Sequence, residues 1–383
     1  MVVCPTQAIL IGDLNDQSSY VAQIVNREPV NVRRPEKETL PKLFYKGAHQ
    51  TTLDPLAACR PPGGLFMWSE QQQSPEHVVS GNPTYNNSSA AALLSYDVAH
   101  SIPWDWRVSL YTWTKGIAAG VYLVAALLVL FGFLRADSAL WLWVAPIGSG
   151  TFLAITGGLL IWDLEHPERF YMIFTRPQWR SWLVKGAFII AGYSIVLALH
   201  FIGSWAGSRL LQSWLLIPGI PLSILTAIYT AYLFAQAKAR DLWQNPLLPL
   251  HLLVQALLLG AATLVLPTIW YWPEASDGMF WILAITLPIH LLCVIGEITL
   301  THPTAHARVA AYEMVRGRYW KPFWLGLALT LFAVVFLWLA LLENLRIIGY
   351  FNGLPALAVP AVAMGLLFHE HAYVQAGQSV PLA

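Results

Sequence analysis

From Trp104 onward the chain is a succession of apolar runs, each about as long as a bilayer core is thick. A hydrocarbon core of roughly 30 Å takes about 20 residues of helix to cross. In lipid every backbone polar group must be satisfied internally, which leaves helices or closed barrels. Runs of the required length lie at 109–134, 139–162, 182–203, 212–237, 247–271, 279–301, 322–343 and 347–368. The pattern predicts an all-α integral membrane protein with about eight transmembrane helices. Composition agrees: 56% of the residues are hydrophobic and 11% are charged, against roughly 25% charged in a soluble domain. Pro146, Pro218, Pro221 and Pro288 fall inside runs, which membrane helices tolerate when neighbours satisfy the freed backbone groups. The last run is the weakest, because Gly353, Pro355 and Pro360 interrupt its first half.

Residues 1–103 differ in character, with Pro-Pro-Gly at 61–63, Gln-Gln-Gln at 71–73 and Asn/Ser clusters at 86–89. They read as a small irregular soluble segment ahead of a membrane domain at 104–383. Cys4, Cys59 and Cys293 lie too far apart for a disulfide framework or a complete metal site. A net charge of +1 carries no electrostatic footprint for nucleic acid. Eight spans put both termini on one side, and short-loop Lys and Arg decide which. Arg169, Arg176, Arg180, Lys185, Lys238, Arg240, Arg308, Arg316, Arg318 and Lys321 lie on the N-terminal side; only Arg135, Arg209 and Arg346 lie opposite. That asymmetry predicts cytoplasmic termini in an inner (cytoplasmic) membrane.

Ionisable residues inside spans are costly in lipid, so each is a candidate for function or pairing. Lys115 sits about two turns into the first helix, one turn beyond Tyr111 on the same face. Glu297 lies near the cytoplasmic end of the sixth. His200, His251 and His290 complete the set, with Asp163 and Glu165 at the exit of the second. Each has a plainer reading. Lys115 can snorkel to the surface, Glu297 can pair with a loop arginine, and the histidines can serve packing. Bis-histidine haem needs two ligands at similar depth. At 1.5 Å per residue, His251 lies roughly 6 Å, His290 about 16 Å and His200 about 27 Å from the cytoplasmic end. No pair matches, and no haem is expected.

Four stretches resemble one known family. WDWRVSLYTWTKGIAAG at 104–120 looks like the entry to the first helix of NrfD-type, polysulfide-reductase membrane subunits. DLEHPERF at 163–170, followed by SWLVKGAF at 181–188, resembles that family's loop after the second helix. YTAYLFAQAKARDLWQNPLLPLHLLVQALLLGAA at 229–262 is the most specific match, and HARVAAYEMVRGRYWKPFW at 306–324 resembles the loop before the seventh helix. The resemblance covers about 104–370 in order and implies two four-helix bundles. A second resemblance lies in CPTQAILIGDLNDQSSYVAQIVNREPVNVRRPEKETLPKLFY at 4–45, similar to the C-terminal end of the four-cluster ferredoxin-type subunit that partners such proteins. Cys4-Pro5 fits the end of a ferredoxin cysteine run. Cys4 would ligate a [4Fe–4S] cluster only with upstream cysteines that this sequence does not contain, supplied by a longer fusion or by a separate subunit; the fusion is the favoured expectation.

The resemblance implies a quinone-interacting membrane anchor. It would pass electrons between a ferredoxin-type iron–sulfur subunit and menaquinone or ubiquinone, with a molybdopterin catalytic subunit beyond. Tyr111 occupies the position where relatives place a quinone-contacting side chain. Some relatives have histidine there, and a nearby Asn of theirs corresponds to Val108. A phenol cannot shuttle protons near neutral pH without a strong shift, so Lys115 or Asp163 would take that work. Tyr229 is a second head-group donor. Arg169 would shape its loop, pairing with Asp163 or Glu165. His290 and Glu297, with Lys115, could begin a proton path. The second, fourth and eighth spans show few ionisable groups to complete one, so the sequence leans against translocation. A secondary transporter or a purely structural anchor are the alternatives.

Overall fold

A computed structural model describes residues 10–33, 40–48, 53, 104–237, 240–302, 304–344 and 354–380. They fall in two compact units. The first carries helix α1 (Tyr20–Arg27) and a two-stranded antiparallel sheet, β1 (Val30–Asn31) with β2 (Tyr45–Lys46), in which Val30 faces Lys46. Asn31 Nδ2 donates to Ala48 O at 2.6 Å and closes the hairpin. Cys4 lies outside the described residues, as does Cys59.

The second unit is helical. Its long helices are α2 (Trp106–Leu130), α3 (Leu140–Trp162, opening with a π turn at Leu140–Val144), α4 (Trp182–Trp205) and α5 (Arg209–Ala235). They continue with α6 (Leu248–Tyr271), α7 (Pro273–Thr299), the short surface helix α8 (Ala305–Val315), α9 (Trp320–Asn344) and α10 (Leu354–Ser379). Seven of them, α2 to α7 and α9, are long and apolar enough to cross a membrane. Side chains start several where the polar loops end. Asp105 accepts from Arg107 N at 2.8 Å, Ser181 from Leu183 N at 3.3 Å and Thr304 from Ala307 N at 3.1 Å, each satisfying a donor that a helix N-terminus leaves orphaned.

The helices close two rings, α2–α3–α4–α5 and α6–α7–α9–α10, each the four-helix bundle that the resemblance implies. The bundles meet along α2, α5, α6 and α10. Burial follows: 78% of the most apolar stretch of α2 is buried, against 28% in α9, so α2 is a central helix and α9 faces lipid. At the seam Gly120 and Gly260 let α2 and α6 touch backbone to backbone. A Cβ on Gly120 would collide with the Ala256 carbonyl, and small residues at membrane helix contacts permit this approach.

One span differs from the sequence reading. The eighth helix runs Leu354–Ser379, not 347–368. Pro355 is its second residue, a position where proline is favoured because its missing N–H has no helical acceptor. The helix continues eleven residues past Phe368, because His369, Glu370, Gln375 and Gln378 are buried among neighbours and not shed into a loop. Its end is pinned. Arg240 donates to the carbonyls of Gln378 (2.8 Å) and Val380 (2.6 Å), and Gln375 Nε2 donates to Trp104 O at 3.1 Å.

Candidate functional site

In the first bundle, Tyr111 and Lys115 are four residues apart on α2 and face α5 together. Lys115 is 1% exposed. Its ammonium donates to Ala227 O at 2.8 Å and to Thr230 Oγ1 at 2.5 Å, and stands 4.9 Å from the centre of the Tyr229 ring. It does not snorkel; a carbonyl, a hydroxyl and an aromatic face on α5 take the place of water. Tyr111, also buried, stands beside Thr230 and within electrostatic range of Tyr229 and Asp163.

Tyr229 has a second exposure. Its ring forms the inner wall of an apolar cleft of about 200 Å³ between α3 and α4, lined by Gly157, Leu160, Ile161, Phe174, Leu183, Ala187 and Ile190 among others. The ring reaches the cleft across Gly186, where any Cβ would overlap it. Asp163 sits at the C-terminal cap of α3. Its partner is Arg107, with Nε 3.6 Å from the carboxylate, while Arg169 pairs weakly with Glu168 at 3.9 Å. The sequence pairing of Arg169 with Asp163 or Glu165 is therefore corrected. Arg107 starts α2 directly across from the end of α3, where it also donates to Trp162 O. Burial pushes the Asp163 carboxyl above its ordinary pKa, and the Arg107 guanidinium opposes that shift.

The second bundle holds a cluster that sequence reasoning split apart. His251 Nδ1 lies 2.9 Å from Glu297 Oε1 and His251 Nε2 lies 2.8 Å from His290 Nδ1. Gln255 Nε2 approaches His251 Nε2 at 3.3 Å, and His369 Nε2 stands 3.8 Å from Glu297 Oε2. His251 and His290 therefore meet, where the count of helical rise set them at different depths. That count takes the helix ends as level and leaves out the reach of two imidazoles from antiparallel helices. Glu297 pairs with a histidine, not with a loop arginine.

His369 and Glu370 were missed entirely, and with them the statement that the eighth span has few buried ionisable groups falls. The signal was available. Reading Pro355 as a helix start places a 20-residue span beyond Phe368 and puts the His-Glu-His triplet at 369–371 inside it. Glu370 bounds a cavity of about 10 Å³ shared with Lys115, Thr112 and Gln255, roughly the room of one water. His251 and Glu297 border a larger cavity of about 390 Å³, lined by loop residues 241–247 and 300–304. A chain of polar groups thus runs from that cavity through Glu297, His251, Gln255 and Glu370 to Lys115, at the edge of the Tyr229 cleft. Of the sequence candidates, Tyr111, Lys115 and Tyr229 converge on Thr230. His290 and Glu297 converge on His251, and Asp163 stands apart with Arg107.

The sequence profile of the family described as polysulphide reductase, NrfD, matches residues 95–378. The chain belongs to the NrfD family. Its members include membrane subunits of reductase complexes, and this chain is an integral membrane protein of that kind. It is 25% identical over 288 residues to a subunit of the selenate reductase of Mesobacillus selenatarsenatis, covering 62% of this chain and 65% of that protein. It is 29% identical over 188 residues to protein NrfD of Escherichia coli, covering 42% of this chain and 58% of that protein. The chain thus spans less than two thirds of the length of either relative. The NrfD match takes in both bundles and every residue of the polar chain.

Proposed function

We propose that this NrfD-family chain is the quinone-interacting membrane subunit of a multisubunit oxidoreductase, passing electrons between partner iron–sulfur clusters and menaquinone or ubiquinone. One observation carries the reading. An apolar cleft between α3 and α4 ends on Tyr229, whose ring is shared with a buried ammonium, Lys115. A quinone needs an apolar groove for its tail, donors for its carbonyl oxygens, and protons delivered as electrons arrive. The cleft supplies the groove, Tyr229 and Tyr111 supply phenolic donors, and Lys115 supplies a buried cation beside them. The proton supply is the chain from Lys115 through Glu370, Gln255 and His251 to Glu297 and the 390 Å³ cavity, with His290 bonded to its middle. Buried polar groups placed in hydrogen-bond series make such a relay.

The partners follow in the same reading. A ferredoxin-type subunit, of which residues 4–45 resemble the C-terminal end, would bring electrons to the membrane surface, and Cys4 would serve a cluster only with cysteines from elsewhere. A molybdopterin subunit would carry the substrate chemistry; the relative that serves a selenate reductase shows one such setting. The loop charges put both termini in the cytoplasm of an inner-membrane protein, so protons would be drawn from that side.

A photoreactive quinone analogue applied to native membranes, followed by mapping of the labelled peptides, tests the assignment. The expected label falls on residues 157–191 or on the peptide containing Tyr229, and excess native quinone suppresses it. Label confined to α9 and α10, or insensitive to competition, would remove the cleft from consideration.

A further inference from the structure

The cluster in the second bundle has a feature that a relay does not require. Three side chains from three helices, His251 of α6, Glu297 of α7 and His369 of α10, offer ligand atoms that all lie within 4.8 Å of one another. None is more than 7% exposed. Glu297 Oε2 is buried without a hydrogen-bond partner among the described residues; the nearest cation-capable group is His369 Nε2 at 3.8 Å. Tetrahedral coordination with bonds of about 2.0–2.1 Å places ligands roughly 3.3 Å apart. The 2.9 Å from His251 Nδ1 to Glu297 and the 3.8 Å from Glu297 to His369 bracket that spacing.

The surroundings suit an ion as well. The 390 Å³ cavity meets His251 and Glu297 from the loop side and provides an entry route. The other His251 nitrogen, Nε2, is already engaged by His290 Nδ1 at 2.8 Å, which is how a metal-binding imidazole is held in orientation by its second nitrogen. Two imidazoles and one carboxylate, with a fourth direction open to a cavity, form a donor set that Zn²⁺ accepts readily.

We propose that His251, Glu297 and His369 bind one divalent transition-metal ion of the Zn²⁺ type. His251 binds it through Nδ1, Glu297 through its carboxylate and His369 through Nε2, with water from the cavity in the fourth position. The ion ties α6, α7 and α10 together and occupies the polar chain between the cavity and Gln255. The inference rests on the geometry of the cluster and stands apart from the quinone reading.

The complex containing this chain is purified in mild detergent, treated with a chelator and titrated with Co²⁺ while visible absorption is recorded. The expected result is a saturable tetrahedral cobalt spectrum at one equivalent per chain, abolished by one equivalent of Zn²⁺. His369→Gln and Glu297→Gln each weaken the apparent Co²⁺ affinity at least tenfold, and His200→Gln, in the other bundle, leaves it unchanged. A wild-type complex with no saturable spectrum overturns the site, whether or not the variants fold. So does a spectrum that survives both ligand substitutions. No quinone enters the assay, so its failure and that of the quinone site are separately visible.

Discussion

At the scale of single residues, Lys115 is the group on which the site turns. Removing its charge leaves Thr230 and the Ala227 carbonyl without a donor, and a lost hydrogen bond to a charged group costs about 1.5–3 kcal/mol. Lys115→Met is expected to lower quinone-linked turnover of native membranes by roughly tenfold or more on that scale, with the chain still present in the membrane by immunoblot. Gly186→Ala is expected to do the same without touching a polar group. Its Cβ would overlap the Tyr229 ring and force the phenol out of the cleft; unchanged turnover would show that Tyr229 is not at the site. Glu370→Gln keeps shape and removes charge. If Glu370 and Lys115 act through the cavity they share, the loss in the double variant is smaller than the sum of the single losses in free energy. Additive losses would separate them. How much of this was legible varies by residue. Tyr111, Lys115 and Tyr229 were visible because an ionisable or amphipathic side chain inside an apolar run stands out. Thr230 was not, since a threonine in a membrane helix has no such contrast, and only the packing of α2 on α5 gives it two partners.

Between elements, the close approaches set which faces meet. Gly260 has the Gly120 backbone against its Cα, so the two bundles share a seam that leaves no room for a side chain. Gly260→Val is expected to destabilise the chain by about 3 kcal/mol or more through overpacking, read as a fall in thermal unfolding temperature in detergent. Gly158→Ala in α3, where a new Cβ meets nothing within 4 Å, is the matched control and should leave that temperature where it was. Helix limits were mostly legible, as α3 shows: the run read as 139–162 is observed as Leu140–Trp162. α10 was not, because hydropathy marks where a helix faces lipid. The last eleven residues of α10 face protein, so their polarity was mistaken for an exit from the membrane.

For the whole molecule, the loop charges predict an orientation that a fusion reporter can check. A fluorescent protein that folds only in the cytoplasm is expected to shine when fused after Ala383, and a periplasm-dependent phosphatase at the same place is expected to be inactive. The opposite result would invert the topology, and with it the side from which protons reach the 390 Å³ cavity. What the amino-acid sequence alone determined is the class of molecule, the number of spans and their approximate ends. Those are properties of each segment by itself, imposed by the thickness of a bilayer and the need to satisfy every backbone group within the helix. What only the tertiary structure decided is which buried polar groups meet. His251, His290, Glu297 and His369 come from three helices, and Lys115, Thr230 and Glu370 from three helices along the seam. Their meeting depends on the rotation and stagger of each helix against its neighbours, fixed by backbone contacts such as Gly120 on Gly260, and no single segment carries that information.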